Sequence, residues 1–382
     1  MSRQIPYGRQ YIDEDDINAV IKVLRGNFLT TGPYVKEFED RFAAYVGASY
    51  AVAVSSGTAA LHLACLAGDI RRGAEVITST MSFAASANCA LYVGAKPVLA
   101  DIDKKTGNIS LDEIERRISK KTRAIIPVHY SGLPCFMDEI QEIARKYNYL
   151  IIEDACHALG ARYKDSQIGD CKYSDMAVFS FHPVKHITTG EGGMITTNSK
   201  PIYDRLVMLR SHGITRDQKF FMEEIHDGWY YEMQMLGYNY RLTDIQAALG
   251  TSQLKKVDQF VNKRREIAQM YTEAFLDLPL DLPIEPAGCT NSYHLYLVKT
   301  NKDTRINRAG LYDRLKNKGI YCQVHYMPIH TLPFYRNELG YNWGDCPVAE
   351  DHYNRVLSIP VYPAMDYRDV EMVISALGEA VI

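Results

Sequence analysis

Ser180-Phe-His-Pro-Val-Lys-His-Ile-Thr-Thr-Gly-Glu-Gly-Gly193 sets a serine, then Lys185, then a glycine-rich stretch in one run. Upstream, Leu150-Ile-Ile-Glu-Asp-Ala-Cys-His157 is an apolar run that ends in acid and carries Asp154 and His157. A lysine able to form a Schiff base, with an aspartate able to hold a pyridinium nitrogen, is what pyridoxal 5'-phosphate chemistry requires. That cofactor is an electron sink only while its ring nitrogen stays protonated. A carboxylate at close range keeps the proton there, because an opposite charge favours the charged form. Tyr149-Leu-Ile-Ile152 reads as a buried strand. Asp154 then falls at the strand's C-terminal end, where open α/β sheets bind ligands. Read alone, Asp154 can also be a turn cap and His157 a core histidine, and most lysines like Lys185 are surface charges. It is the pairing of the two segments that points to a cofactor.

A phosphate needs donors. Ala51-Val-Ala-Val54 reads as a strand, Ser55-Ser-Gly-Thr58 as a turn, and Ala59 to Ala67 as a buried helix. Backbone N–H groups and the helix dipole make such a helix start an anion site, although the same turn also caps ordinary helices. Ser180 can add a hydroxyl. Phe83, in Thr80-Met-Ser-Phe-Ala-Ala-Ser-Ala87, can cover the ring or simply fill core.

Working outward, Glu75-Val-Ile-Thr78, Lys96-Pro-Val-Leu99, Ala124 to Val128 and Tyr149 to Ile152 read as short buried strands. Helical patterns lie between them, such as Ser110 to Ile118 with Ser110 and Glu113 as a capping box. This alternation predicts an α/β fold with a mainly parallel sheet between helices. A helix is predicted over Thr243 to Phe275, and Leu276 to Pro283 breaks it with prolines. Strands at Tyr293–Val298 and Tyr321–Val324, with a terminal helix near Asp366 to Ala380, read as a smaller α+β unit. The expected domains are 1–249, holding the cofactor and an N-terminal substrate segment, and 250–382. Thr215 to Gln234 reads as an excursion that forms a lid, a dimer contact or a surface loop.

With 382 residues, 47% of them hydrophobic, the chain can bury a large core. A net charge of −3 argues against nucleic acid as a partner. Eight cysteines without a C-x-x-C pair exclude zinc and redox spacings and point to a reducing, cytoplasmic setting. No apolar stretch is long enough to span a bilayer, so no membrane is expected. A metal-dependent hydrolase built on Asp154, His157 and His182 has loose spacing and no second ligand cluster, so no metal is expected.

Gly32-Pro33, Ser55-Ser-Gly-Thr58, Glu153 to His157, Ser180 to Lys185, Gly190-Glu-Gly-Gly193 and Gly237-Tyr-Asn-Tyr-Arg-Leu-Thr-Asp244 together resemble the DegT/DnrJ/EryC1/StrS sugar aminotransferases. The matching segments span nearly the whole chain. The resemblance implies a fold-type-I pyridoxal phosphate enzyme, usually a homodimer with shared active sites, that aminates nucleotide-linked keto sugars with L-glutamate as usual donor. Ile5-Pro-Tyr-Gly8, Asn27-Phe-Leu-Thr-Thr-Gly32, His182 to Lys185, Ile187 to Gly193 and Gln323-Val-His-Tyr326 look most like the pseudaminic-acid branch. That branch includes the transaminase making UDP-4-amino-4,6-dideoxy-N-acetyl-β-L-altrosamine, so the implied substrate is a UDP-linked 4-keto-6-deoxy-N-acetylhexosamine. Lys185 is present where related sugar dehydratases lack it, which favours amino transfer.

The resemblance also implies roles. Lys185 is the catalytic lysine, Asp154 pairs with the pyridinium, and His157 sits at the ring. Gly57, Thr58 and Ser180 hold the phosphate, and Asn239 reaches the phosphate in the partner subunit. Tyr7, Phe28, Leu29, Thr30, Thr31, Gln323, Val324, His325 and Tyr326 meet the nucleotide sugar. His186, directly after the lysine, departs from the family pattern and is expected to face away from the ring. Cys156 reads as a small buried residue. Alternatives are a dTDP- or GDP-linked sugar, a sugar of the legionaminic or bacillosamine type, and a non-catalytic regulator that keeps the fold.

Overall fold

Short apolar strands and helices alternate from Tyr50 to Thr197 and assemble into one seven-stranded sheet. The computed structural model describes residues 3–224 and 227–381. In chain order the elements are β1 (Tyr50–Val54), β2 (Glu75–Ser79), β3 (Lys96–Ala100), β4 (Thr122–Ile126) and β5 (Leu150–Asp154). A tiny hairpin, β6 (Arg162–Tyr163) and β7 (Ser166–Gln167), precedes β8 (Met176–Ser180) and β9 (Gly193–Thr197). The sheet order is β1-β9-β8-β5-β4-β2-β3. Only β9 runs against its neighbours; β8, β5, β4, β2 and β3 pair in parallel. The α/β class with a mixed, mainly parallel sheet is as the sequence predicts.

The helices follow the same logic. α1 (Glu14–Leu24) and α2 (Pro33–Val46) precede the sheet. α3 (Gly57–Ala67) is buried almost all round, because it is apolar on every side and packs between the sheet, α4 (Ala85–Tyr92) and α7 (Lys200–Arg210). α5 (Leu111–Arg117) buries Ile114 alone. α6 (Met137–Tyr147) buries Met137, Ile140 and Ala144 and turns its charges outward. It stops at Asn148, whose φ of +56° is the left-handed geometry that Asn tolerates.

Several boundaries differ from the sequence reading. The helix expected over Thr243 to Phe275 is two, α8 (Asp244–Leu254) and α9 (Val257–Phe275). Lys256, between them, is held by Asp13 and Asp16 at 2.7 Å each, so a contact to α1 sets the break. The strand expected at Tyr321–Val324 forms no ladder; Gln323 makes one bridge to Ser358 and Ile320 one to Ile5. The strand expected from Tyr293 starts at Tyr296, because Tyr293 sits at φ +48° and donates its N–H to Asn291 Oδ1. The capping box at Ser110 is one-sided: Glu113 turns to Arg116 and Arg117 instead of back to Ser110.

Two apolar clusters divide α9. Val257, Phe260 and Val261 pack with the sheet's core, whereas Ile267, Ala268, Tyr271 and Phe275 pack with Tyr296, Leu311, Leu357 and the C-terminal helix Tyr367–Val381. Ile5 joins the second cluster, so the N-terminal segment lies against the C-terminal unit. In the Thr215 to Gln234 excursion, Ile214–Thr215 pairs with Glu232–Met233, and the Glu232 carboxylate accepts from the N–H groups of Met222 and Glu223. Ile225 and His226 of this excursion lie outside the described residues.

The α2–α8 contact tolerates no added bulk at Gly250. A Cβ there meets Phe38 ring atoms at 2.6, 2.8 and 2.9 Å. Phe38 is fully buried and wedged against Phe42 and Phe181. Gly→Ala inside a helix ordinarily gains about 1 kcal/mol, but overpacking a fixed core costs about 1–3 kcal/mol. Gly250→Ala is therefore expected to lower the urea unfolding midpoint of the protein. An unchanged or raised midpoint would show that Phe38 can turn aside.

Candidate active site

The C-terminal ends of β1, β2, β4, β5 and β8 meet at one edge of the sheet, and a cavity of about 400 Å³ opens there. β5 ends on Asp154, β8 on Ser180, and the turn after β1 leads into α3. Gly193, the first residue of β9, lies between Val54 and Ser180 in register. A Cβ on Gly193 lies 2.5 Å from the Ser56 carbonyl oxygen, and one on Gly57 lies 2.9 Å from Ser180 Cβ. These glycines let three backbones close on one spot. Ser56 caps α3 by accepting the Ala59 N–H at 3.0 Å. Gly57 and Thr58 open α3, so their N–H groups have no carbonyl one turn earlier.

Asp154 is 5% exposed. Its Oδ1 accepts the Cys156 N–H at 3.2 Å and its Oδ2 accepts the Ser86 hydroxyl at 2.6 Å. Its backbone is pinned by bonds with Pro127 and His129. Lys185 lines the same cavity, and its N–H closes a turn onto the His182 carbonyl at 2.9 Å. Burial pushes the Lys185 ammonium below the ordinary lysine range; Cys156 and Asp154 oppose the shift and Arg264 adds to it. A neutral amine is the form that attacks an aldehyde.

Histidines pack behind the lysine. His157 Nε2 meets the Tyr326 hydroxyl at 3.0 Å, and the ring lies 4.3 Å from that of His294. Burial holds His157, His186 and His294 well below the ordinary imidazole value, with Lys185 adding to each shift. His325, bonded through Nδ1 to Ser358 Oγ at 2.8 Å, is pushed down to about 3, again chiefly by burial. The Nδ1 atoms of His157 and His294 are buried without a partner. Arg264 is buried with no carboxylate beside it; it donates to the carbonyls of Val361, His294 and Tyr293, and burial brings it to about 9.

Of the residues singled out in the sequence, Gly57, Thr58, Phe83, Asp154, His157, Ser180, Lys185, Tyr7, His325 and Tyr326 line the cavity. Phe83 stands on its rim, 61% exposed, 6.2 Å from the Tyr326 ring. Gln323 and Val324 do not line it, nor do Phe28, Leu29, Thr30, Thr31 and Asn239, which are exposed. His186 points away and bonds the Ser292 carbonyl at 3.2 Å. Cys156 lines the wall, its thiol pushed up by burial. Sequence reading missed Ser56, Ser82, Ser86 and His294. The spacing of Ser82 and Ser86 within Met81-Ser-Phe-Ala-Ala-Ser86 was the available signal; His294 lay hidden in an apolar run.

The donor set fits pyridoxal phosphate. A helix start flanked by hydroxyls suits the phosphate, Asp154 suits a ring nitrogen, and the unpartnered Nδ1 of His157 leaves polar capacity in the cavity wall. The comparisons agree. Residues 10–378 match the model of the DegT/DnrJ/EryC1/StrS aminotransferase family, and the chain belongs to that family. It is 39% identical over 380 residues to the spore coat polysaccharide biosynthesis protein SpsC of Bacillus subtilis, covering 99% of this chain and 97% of that one. Among solved structures it is similar to Helicobacter pylori PseC, an aminotransferase involved in the biosynthesis of pseudoaminic acid (TM-score 0.91, 30% identity, 99% of each chain). It is also similar to Spr1654 from Streptococcus pneumoniae in its PLP-form (TM-score 0.92, 29% identity, 99% of each chain). The cofactor of the family is pyridoxal phosphate.

The charge around Lys185 makes a prediction free of cofactor. In apoenzyme, competitive acetylation of Lys185, quantified by peptide mass against a surface lysine, is expected to titrate below the ordinary lysine range. Asp154→Asn removes a charge that raises the Lys185 value, so its midpoint moves lower still. A midpoint that stays put, or rises, in Asp154→Asn would show that Asp154 does not act on the lysine.

Proposed function

We propose that this sugar aminotransferase moves an amino group from L-glutamate to C4 of a UDP-linked 4-keto-6-deoxy-N-acetylhexosamine, in the making of pseudaminic acid. The observation that carries the reading is the shared cavity of Lys185, Asp154 and the start of α3. The likeness to PseC and SpsC supports a nucleotide-sugar substrate. All eight cysteines are free, which supports a reducing, cytoplasmic setting.

When bound, pyridoxal phosphate supplies an electron sink for the bond broken at the substrate's amino carbon. Gly57 and Thr58 donate their N–H groups to the phosphate, and Ser180 its hydroxyl. Asp154 holds the proton on the ring nitrogen. Lys185 would carry the cofactor and, once released, would move protons between substrate carbon and cofactor, from the glutamate Cα to the cofactor in one half-reaction and from the cofactor to the sugar C4 in the other. Its depressed basicity suits both tasks. His157, kept neutral by burial, can exchange a hydrogen bond with the ring without adding charge. Tyr7, His325 and Tyr326 form the wall that meets the sugar, offering flat apolar surface and polar edges.

Purified enzyme given glutamate and a panel of UDP-4-keto sugars is expected to form 2-oxoglutarate and a 4-amino sugar, read by NMR. Lys185→Ala should lose at least about 100-fold in turnover, the lower end for a positioned proton-transfer group, and the visible cofactor band should vanish. Amination of dTDP- or GDP-linked sugars alone would leave the family reading and remove the pseudaminic one. Near-normal turnover in Lys185→Ala would remove the catalytic assignment.

The active form, in this reading, is a homodimer whose sites are completed by the partner. Support comes from exposed segments that do not line their own chain's cavity: Phe28 and Leu29 are about half exposed, and Asn239 faces solvent. Tyr238 and Tyr240 pack on His62, so the alternating residue Asn239 points the other way. Mixing inactive Lys185→Ala with inactive Asn239→Asp is expected to restore activity as subunits exchange, because one site in the mixed dimer then holds wild-type Lys185 and wild-type Asn239. Exchange seen by native mass spectrometry with no recovery would count against shared sites.

A further inference from the structure

The carboxylate of Asp154 is held by a chain of two hydroxyls. Ser86 Oγ lies 2.6 Å from Asp154 Oδ2, and Ser82 Oγ lies 2.6 Å from Ser86 Oγ. All three side chains are buried, with exposures of 1% for Ser86, 3% for Ser82 and 5% for Asp154, and all three line the cavity. An ionised carboxylate only accepts, so the Ser86 hydrogen points to Oδ2. Its oxygen is then the acceptor for Ser82. The chain therefore has one direction, Ser82 to Ser86 to Asp154.

The supports of this chain are rigid. Ser86 lies in the first turn of α4, where Cys89 donates its thiol to the Ser86 carbonyl at 3.3 Å. The turn before it is fixed by the Met81 N–H to Ser79 Oγ at 3.1 Å. With Oδ1 taken by the Cys156 N–H and Oδ2 by Ser86, the carboxylate has one orientation. The turn that carries Phe83 on the cavity rim thus also carries the group that sets the angle of the Asp154 carboxylate.

We propose that Ser86 is a positioning residue for Asp154, with Ser82 orienting its hydroxyl, and that the pair tunes how the enzyme holds the cofactor's ring nitrogen. The inference rests on the reading of Asp154 as that nitrogen's partner. Replacing Ser86 by alanine leaves a buried carboxylate lone pair without its donor and frees the side chain to turn. A carboxylate no longer held at that angle faces the ring nitrogen less well, so the proton there is held less firmly.

The test measures binding of pyridoxal phosphate to apoenzyme by absorbance titration, together with the ¹⁵N shift of the bound ring nitrogen. Ser86→Ala is expected to weaken binding roughly tenfold, as expected for loss of a hydrogen bond to a charged group, and to move the ¹⁵N shift toward the unprotonated value. Ser86→Thr keeps the hydroxyl and should restore both. Ser82→Ala should move both readouts the same way by less, and the double alanine variant should be no worse than Ser86→Ala, since the two act through one bond. Ser86→Cys, with its weak S–H donor, replaces the alanine variant if that one does not fold. Binding within about twofold of wild type with an unmoved ¹⁵N shift, or fully additive losses, would overturn the proposal. Asp154→Asn is run beside it: if that variant also leaves binding and the ¹⁵N shift unchanged, the reading of Asp154 falls, and if it alone changes them, only the role of Ser86 falls.

Discussion

The start of α3 is pressed against two other backbones, and the site is arranged around that contact. Gly193 comes so close to Ser56 that any side chain would strike a carbonyl, and Gly57 comes nearly as close to Ser180. Because β9 runs antiparallel between β1 and β8, its first residue is the one that reaches this edge. The glycine-rich run after Lys185 therefore has a packing reason apart from any ligand. It lets the chain turn back from the lysine into β9 without pushing the helix start away. The donors of α3, the Ser180 hydroxyl and the lysine are thus set by one steric constraint.

Around that frame burial works to keep most of the basic side chains uncharged. Four histidines near Lys185 are held neutral by burial, and the lysine itself is shifted down. Arg264 is the exception, and its charge is spread over three carbonyls, two from the turn at Tyr293 and His294 and one from Val361. Its position on α9 ties that turn to the helix shared by both cores. The tilted contact of His294 with His157 then carries the order of this turn to the ring that meets Tyr326. A buried arginine without an acid is costly; here Nη1 is used on backbone that shapes the site, while Nε is buried with no partner among the described residues.

What the sequence disclosed was what local chemistry decides. The strand, turn and helix around Ser55-Ser-Gly-Thr58 and the strand ending on Asp154 follow from apolar runs and turn residues, and they meet at one end of the sheet. What it hid depends on distant partners. The break at Lys256 comes from carboxylates on α1, and the loss of a strand at Tyr321 from a neighbour that offers one bridge in place of a ladder. Ser86 and His294 are ordinary residues in apolar runs until tertiary packing sets them against Asp154 and His157. The segment Phe28 to Thr31 was grouped with the site by resemblance, yet within one chain it is exposed and tied to Thr243 and the buried Asp244.

The charge of the cavity bears on that last point. Among the described residues lining it, Lys185 is the sole lysine or arginine, and Asp154 and Glu191 are acids. In the proposed reading, glutamate brings two carboxylates against one ammonium, a nucleotide diphosphate sugar brings two negative charges, and the cofactor's phosphate brings more. Neutral histidines can donate hydrogen bonds but supply no countercharge, and the helix start contributes only about half a positive charge. Burying several anions against so little positive charge is unfavourable unless further donors or cations close over them. A single chain therefore presents a cavity well shaped for the ring and poorly charged for its substrates. In the proposed dimer, the exposed segments around Asn239 and Thr31 are the ones left to bring further hydrogen-bond donors to a second copy's cavity.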